Sequence, residues 1–262
     1  MLKTPYERLK AARAADRPTG LDYIQNIFTD FVEFHGDRRY GDDPAVVGGI
    51  ARLENLPATV IALERGHTAR ERVSRNFGSP HPEGYRKALR LMKQAEKFAR
   101  PVVCFIDTSG AYCGQGAEER GQGQAIAENL MELSTLCVPI VSILIGEGES
   151  GGALALAVAD RVWMLQNAIY SVISPEGCAS ILWKDAAQAK AAAESLKLTA
   201  EDARELGVIE RIVSEEQLGK DSFYTGLRAL LLEELTALSA EPELLSKRYD
   251  RYRRIGTELL KG

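Results

Sequence analysis

The sequence predicts an α/β fold in which parallel strands are joined by helical crossovers. Two apolar runs, 102–106 and 139–145, have the length and the Val/Ile content of buried strands. Each leads into a glycine-rich loop and then into a stretch with helical character, 117–136 and 150–160. Shorter apolar runs at 162–165, 169–173 and 208–213 continue the alternation with helical segments, and chains patterned this way build parallel sheets with right-handed connections.

The first 20 residues are basic and alanine-rich and close in Arg17-Pro18-Thr19-Gly20, which predicts a short helix and a linker. Thr19 or Asp22 then starts an amphipathic helix with Ile24, Ile27, Phe28, Phe31 and Val32 on one face. After a loop punctuated by Gly36, Gly41 and Pro44, residues 46–53 and 58–63 read as strands joined by a hairpin turn at 54–57. Residues 64–82 are polar. Spacing of Tyr85, Leu89, Met92 and Ala95 predicts a helix over 83–99, which Pro101 stops. Pro175 is placed for the first turn of a helix running through 178–183, and 186–193 is an alanine-rich helical stretch. Thr199 followed by Asp202 resembles a capping box, with Gly207 ending the helix it opens. From Asp221 onward the pattern is largely helical.

Composition narrows the function classes. With 33 Lys and Arg against 37 Asp and Glu, the net charge of −4 offers no bulk attraction to nucleic acid. Cys104, Cys113, Cys137 and Cys178 are too far apart for a chain-internal zinc site, and Cys104 and Cys137, beside apolar runs, read as buried thiols. There is no apolar signal core at the N-terminus and no run approaching a membrane span, so the cytoplasm is the expected compartment.

The stretch that carries most chemistry is 146–155, Gly-Glu-Gly-Glu-Ser-Gly-Gly-Ala-Leu-Ala. It joins a strand to a helix, with Ser150 as the N-cap candidate. Gly151 and Gly152 leave room for close approach to free helix-start N–H groups, an arrangement suited to a developing oxyanion. No Lys-Ser or Lys-Thr follows, so it is no phosphate loop. The loop 107–122, with Gly110, Gly114 and Gly116, also follows a strand and opens a helix, at the strand end where ligands of α/β folds collect. Glu118, Glu119 and Arg120 there read as residues that charge the helix start. Segment 65–78 carries Arg65, Arg70, Arg72, Arg75 and His67, equally a phosphate or acidic-partner site and a solvated basic loop. His67 has no nucleophile beside it, and His35 and His81 read as surface residues. Ile181, Leu182 and Trp183 read as core or interface, and Glu176 as either a cap or a site carboxylate. The basic tail, Lys247, Arg248, Arg251, Arg253 and Arg254, reads as a solvated helix face or a subunit contact.

Several ordered stretches together resemble one family, the carboxyltransferase alpha subunit of bacterial acetyl-coenzyme A carboxylase. They are Phe34-His-Gly-Asp-Arg38 with Tyr40-Gly-Asp-Asp43, Arg75-Asn-Phe-Gly78, residues 82–90, Glu118-Glu-Arg-Gly-Gln122, and residues 170–177 through 181–184. The resemblance runs from about Leu21 to Val213 and implies a crotonase-like (ClpP/crotonase) ββα spiral over 21–215, flanked by helical segments 1–20 and 216–262. It implies transfer of the carboxyl group from carboxybiotin, on the biotin carboxyl carrier protein, to acetyl-CoA, giving malonyl-CoA for fatty acid biosynthesis. It also implies a beta subunit that carries zinc, an α2β2 assembly, and biotin carboxylase in the larger complex.

By the same resemblance, Gly151 and Gly152 match the amide pair at the biotin ureido oxygen. Gly148, Ala153, Gly110, Ala111 and Tyr112 fall around the biotin and acyl-CoA pocket. The chain departs from the family pattern at Ser109 and Cys113, where prolines are usual, at Glu149, where glycine is usual, and in a shorter segment after Gly66. The rival readings are a carboxyltransferase half for another acyl-CoA, a crotonase-type hydratase, and a non-catalytic structural subunit.

Overall fold

The computed structural model describes residues 3–257, so the last five positions of the expected C-terminal segment and the first two of the N-terminal one lie outside it. Helix α1 (Pro5–Ala12) is opened by a capping box from Thr4 and Glu7, and α2 (Gly20–Ile27) by one from Thr19 and Asp22. The expected continuation of α2 through Val32 does not occur. Its C-cap at Phe28 is extended, and Thr29–Glu33 forms strand β1 at the sheet edge, with Val32 57% exposed. Strands β2 (Val46–Leu53) and β3 (Leu56–Leu63) form the predicted hairpin, though the turn is only Glu54 and Asn55.

Helix α3 (Ala69–Ser74) and a single 3₁₀ turn over Asn76–Gly78 structure the polar stretch. Helix α4 (Pro82–Lys97) leads to β4 (Val102–Thr108). The long helix expected next is broken by Gly121, at φ +82°, into α5 (Gln115–Glu119) and α6 (Gln122–Thr135). Strand β5 (Ile140–Glu149) is longer than the apolar run suggested, and α7 (Ser150–Leu154) is only one turn and a half. The chain continues through β6 (Arg161–Leu165), β7 (Ile169–Ser171), α8 (Pro175–Trp183), α9 (Ala189–Ser195), α10 (Ala200–Glu205), β8 (Arg211–Val213), α11 (Asp221–Ser239) and α12 (Leu244–Arg254).

One sheet organises these elements, in the order β1-β2-β3-β4-β5-β6-β8, with β7 paired to the far end of β5. The first three strands are antiparallel, and every pairing from β3 onward is parallel. All of β4 and β5 is buried, as expected for parallel strands covered on both faces. Gly20 of α2 lies against Ala62 on one face, and Leu91 of α4 lies against Gly48 on the other. Over the α2 face, Tyr23 sits 5.2 Å from Phe105 and makes edge contacts with Phe223 and Tyr224 of α11.

The segment around α1 and helix α12 are fastened by arginines. Arg8 donates to Glu201, and Arg17 forms a two-bond fork on Glu215 and donates to Ile145 O. Arg248 and Arg251 are not on a solvated helix face. Arg248 is 1% exposed, forks onto Asp160 and donates to Leu133 O, Leu136 O and Val138 O, while Arg251 holds Glu210 and Val208 O. Helical periodicity alone assigned them to solvent, because their acceptors lie 41 to 115 residues away. Cys104 is buried, but Cys137 is exposed, since it falls in the turn before β5 rather than in the strand.

Candidate active site

The carboxyl ends of β4 and β5 lie side by side, Thr108 opposite Gly148, and the two glycine-bearing loops leave from them. After β4, Thr108 Oγ1 accepts from Gly110 N at 3.0 Å and donates to Gly110 O at 2.8 Å. This closes a local ring and holds Gly110 at φ +121°, which a side chain would strain. Tyr112 N donates to Pro80 O, and Gln122 Nε2 bridges Pro80 O and Tyr112 O at 2.8 Å each. The Tyr112 ring is 4.2 Å from that of His81, and Arg120 forks onto Glu83. Arg120 is therefore a brace between this loop and α4, a role that the first-turn reading of its position did not include.

At the end of β5 the chain turns sharply at Ser150, whose φ of +58° is uncommon for a residue with a side chain. Ser150 is not the N-cap. Glu149 occupies that position, and no side chain caps the turn. Among the described residues, neither Gly151 N–H nor Gly152 N–H donates to a loop carbonyl or to a side chain. With only five residues in α7, the useful donors are these individual amides rather than a macrodipole. The turn is anchored from behind by Ser142 Oγ donating to Leu156 O at 2.6 Å and Asn129 Nδ2 donating to Ala155 O at 3.3 Å.

Gly152 has no room for a side chain. A Cβ there would lie 2.5 Å from Ala111 N, 2.8 Å from Gly110 C and 2.9 Å from the Tyr85 hydroxyl. A Cβ on Gly151 would meet only Ile126 Cγ2 at 3.5 Å, an ordinary contact. Fold contact thus joins Gly110, Ala111 and Gly152 into one backbone surface. Gly151 opens onto a pocket of 310 Å³ lined also by Ser150, Leu154, Tyr170, Ser171, Val172 and Val208. Gly148 and Ala153 are buried behind this surface, Gly148 between Thr108 and Tyr170, and Tyr112 is 40% exposed beside it. Tyr85, missed by the sequence reading except as a core position, is fully buried beneath, and its hydroxyl has no hydrogen-bond partner among the described residues.

Glu147 and Glu149 point to the same side of β5, into a charge cluster. Glu147 accepts from Arg13 Nε at 2.7 Å and Arg65 Nη2 at 3.0 Å. Arg13 also forks onto Glu176, and Arg65 pairs with Asp107 at 3.1 Å. Gly146 is required here, because a Cβ would sit 2.3 Å from Asp107 Oδ1. The Glu149 carboxyl is 2% exposed and 3.7 Å from Arg13, and its Oε1 has no hydrogen-bond partner among the described residues. Burial, then the neighbouring Glu147, pushes its pKa up to about 8. Burial likewise raises Asp107 despite Arg65. Glu149 lines neither the pocket at Gly151 nor the 220 Å³ cleft formed by Arg13, Arg65, Arg72, Phe77, Ser109 and Glu147.

The basic segment 65–78 is largely spoken for by the fold. Arg65 turns inward, Arg72 donates to Gly66 O and Ala15 O, Arg75 to Pro44 O, and His67 pairs with Asp22 at 2.9 Å. Glu176 is tied to Arg13. Ile181, Leu182 and Trp183 are 60%, 63% and 40% exposed, so they are not core. Among the described residues, no group of three His, Cys, Asp or Glu side chains is placed to hold a metal ion, and no helix is long and apolar enough to cross a membrane.

Comparison with known proteins identifies the family of the chain. A family described as acetyl co-enzyme A carboxylase carboxyltransferase-like matches residues 2–256. The acetyl-coenzyme A carboxylase carboxyl transferase subunit alpha of Ruminiclostridium cellulolyticum is 65% identical over 254 residues, covering 96% of this chain and 97% of that protein. A protein of Natranaerobius thermophilus named as acetyl-coenzyme A carboxylase carboxyl transferase subunits beta/alpha is 56% identical over 259 residues. There the match covers 97% of this chain but 43% of the relative. In structure, the transcarboxylase 12S core superposes with a TM-score of 0.70 at 19% identity, over 89% of this chain and 45% of that one. The sheet and its helices are those of the crotonase fold.

Proposed function

The chain belongs to the acetyl-coenzyme A carboxylase carboxyltransferase family as an alpha subunit, and from that premise we propose how it takes part in carboxyl transfer. Its substrates are carboxybiotin on the carrier protein and acetyl-CoA, and the product is malonyl-CoA. Carboxybiotin supplies the activated carboxyl group and, once that has left, a basic ring nitrogen for the acetyl methyl proton. The chain's own task is to hold the ureido oxygen on which negative charge grows.

Gly151 N–H and Gly152 N–H are the donors. They are fixed by the β5 turn and by the backbone contact of Gly152 with Gly110 and Ala111, so little reorganisation is needed when charge develops. One such donor is worth about 2.7–4 kcal/mol of barrier in a water-excluding site. Leu154, Tyr170, Val172 and Val208 give the adjoining pocket an apolar wall that suits a ring with an alkyl tail. The observation that carries the reading is the wedge of Gly152 under Gly110–Ala111, which makes the amide pair rigid.

The site is completed by a beta subunit in an α2β2 assembly. The relative named beta/alpha has this chain's counterpart as less than half of its length. Leu154 and Val172, at 36% and 76% exposure, rim the pocket, and α8 adds Ile181, Leu182 and Trp183. Exposed apolar groups of this number fit a covering partner. The test is malonyl-CoA formation from carboxybiotin by the purified chain, with and without its beta partner. Turnover is expected only with the partner, and robust turnover by the chain alone would refute the divided site.

A further inference from the structure

On the outer side of α4 and α6 lies a second cavity, of 370 Å³, lined by Asp37, Arg38, Arg39, Arg86, Leu89, Arg90, Lys93 and Glu128. It shares no lining residue with the pocket at Gly151 or the cleft at Arg65. Five of its eight lining residues are cations. Three of them have carboxylate partners. Arg86 Nε bonds Asp37 at 2.9 Å, Lys93 bonds Glu132 at 2.6 Å, and Arg39 reaches Glu128 at 3.5 Å.

Arg38 and Arg90 have none among the described residues. Arg38 Nη1 donates to His35 O at 2.8 Å, and Arg90 donates to Gly36 O at 3.1 Å and to the same His35 O at 3.3 Å. Two guanidiniums therefore converge on one carbonyl, which accepts their hydrogen bonds without neutralising either charge. Asp37 cannot serve them. Its Oδ1 accepts three backbone amides, from Arg39, Tyr40 and Gly41, and its Oδ2 accepts Arg86. Asp42 is taken by Lys87, His35 and Gly36 N. Burial, then the charge of Arg38, lowers the pKa of Arg90, and the nearby carboxylates of Asp42 and Asp37 offset this only in part. The loop is also held in a costly shape, with Arg38 at φ +66°.

We propose that this cavity binds an organic phosphate of nucleotide size, with its phosphoryl oxygens on the Arg38 and Arg90 guanidiniums. A phosphoryl group carries up to two negative charges, matching the two guanidiniums that lack a directly paired carboxylate, and its oxygens suit the planar forks of arginine. The cavity exceeds what a lone phosphate fills and falls in the range of small-molecule pockets. The exposed guanidinium of Arg39 offers a flat face on which a base can stack. The concave shape favours a small molecule over an acidic protein face.

The test is calorimetric titration of the full chain without its partner, using ADP, inorganic pyrophosphate and adenosine as probes. ADP is expected to bind, pyrophosphate more weakly, and adenosine not at all. The double variant R38Q/R90Q is expected to lose at least about tenfold in ADP affinity. Pyrophosphate binding as tightly as ADP would overturn the nucleotide-sized ligand. The site itself is refuted by equal binding of ADP and adenosine, by no ADP binding up to about 1 mM, or by unchanged ADP affinity in R38Q/R90Q. Capture of an acidic protein through these arginines, without ADP binding, would also refute it. Should the variant fail to fold, the ADP and adenosine comparison on the natural chain still decides. None of these readouts depends on carboxyl transfer, so failure here is separate from failure of the catalytic reading.

Discussion

Replacing Gly152 by alanine tests the rigid amide pair most directly. The added Cβ would lie 2.5 Å from Ala111 N and 2.8 Å from Gly110 C, both backbone atoms that no rotamer change can move. Ordinary contact begins near 3.5 Å, so the loop or the start of α7 must shift by about 1 Å. A misplacement of that size costs on the order of 10²-fold in rate, about the effect of losing one oxyanion donor. Overpacking adds about 1–3 kcal/mol of destabilisation. Gly151→Ala is the internal control, because its Cβ meets only Ile126 at 3.5 Å. Steady-state malonyl-CoA formation by the chain with its beta subunit is expected to fall by about 10²-fold or more for Gly152→Ala and by only a few-fold for Gly151→Ala. Thermal melts would show whether assembly survives. Equal activities for Gly152→Ala and the natural chain, or equal losses for the two variants, would refute the reasoning.

Arg248→Ala leaves Asp160 buried without its partner and strands three carbonyls. It should cost about 3–5 kcal/mol in urea unfolding, and a loss below about 1 kcal/mol would mean the fork is not structural. Glu149 gives a pH signature. Its folded pKa of about 8 lies above its ordinary value of 4.5, so its contribution to stability is full below pH 4.5 and declines as pH rises toward 8. Glu149→Gln, neutral throughout, should therefore match the natural chain near pH 4.5 and be more stable at pH 8 and above, by at least about 1 kcal/mol. Melting curves across that window check the sign, and a Gln variant that is less stable at pH 8 would place the ionised carboxylate as a stabilising partner of Arg13.

Elements whose signals are local were legible before any coordinates. Thr19 with Asp22, Pro175, and Thr199 with Asp202 mark helix starts that are read within four residues. The apolar runs of β4 and β5 announce buried strands because burial on both faces demands them. The end of α2 was harder. Phe31 and Val32 fit a helical stripe as well as a strand, and only pairing of β1 with β2 made them strand.

The sequence alone determined the fold class, the family and the two glycine loops, since these depend on residue type and order within short windows. Tertiary structure decided what each charge and glycine is for. Residues 146–149 have no strand propensity of their own, yet they continue β5 because β7 pairs with them and because Glu147 finds Arg13, 134 residues away, and Arg65, 82 residues away. Arg248 became core rather than surface for the same reason, and Gly152 rather than Gly151 proved the sterically closed position only once Gly110 and Ala111 lay across it. Such contacts are set by chain segments that meet in space, so nothing in a local stretch of residues encodes them.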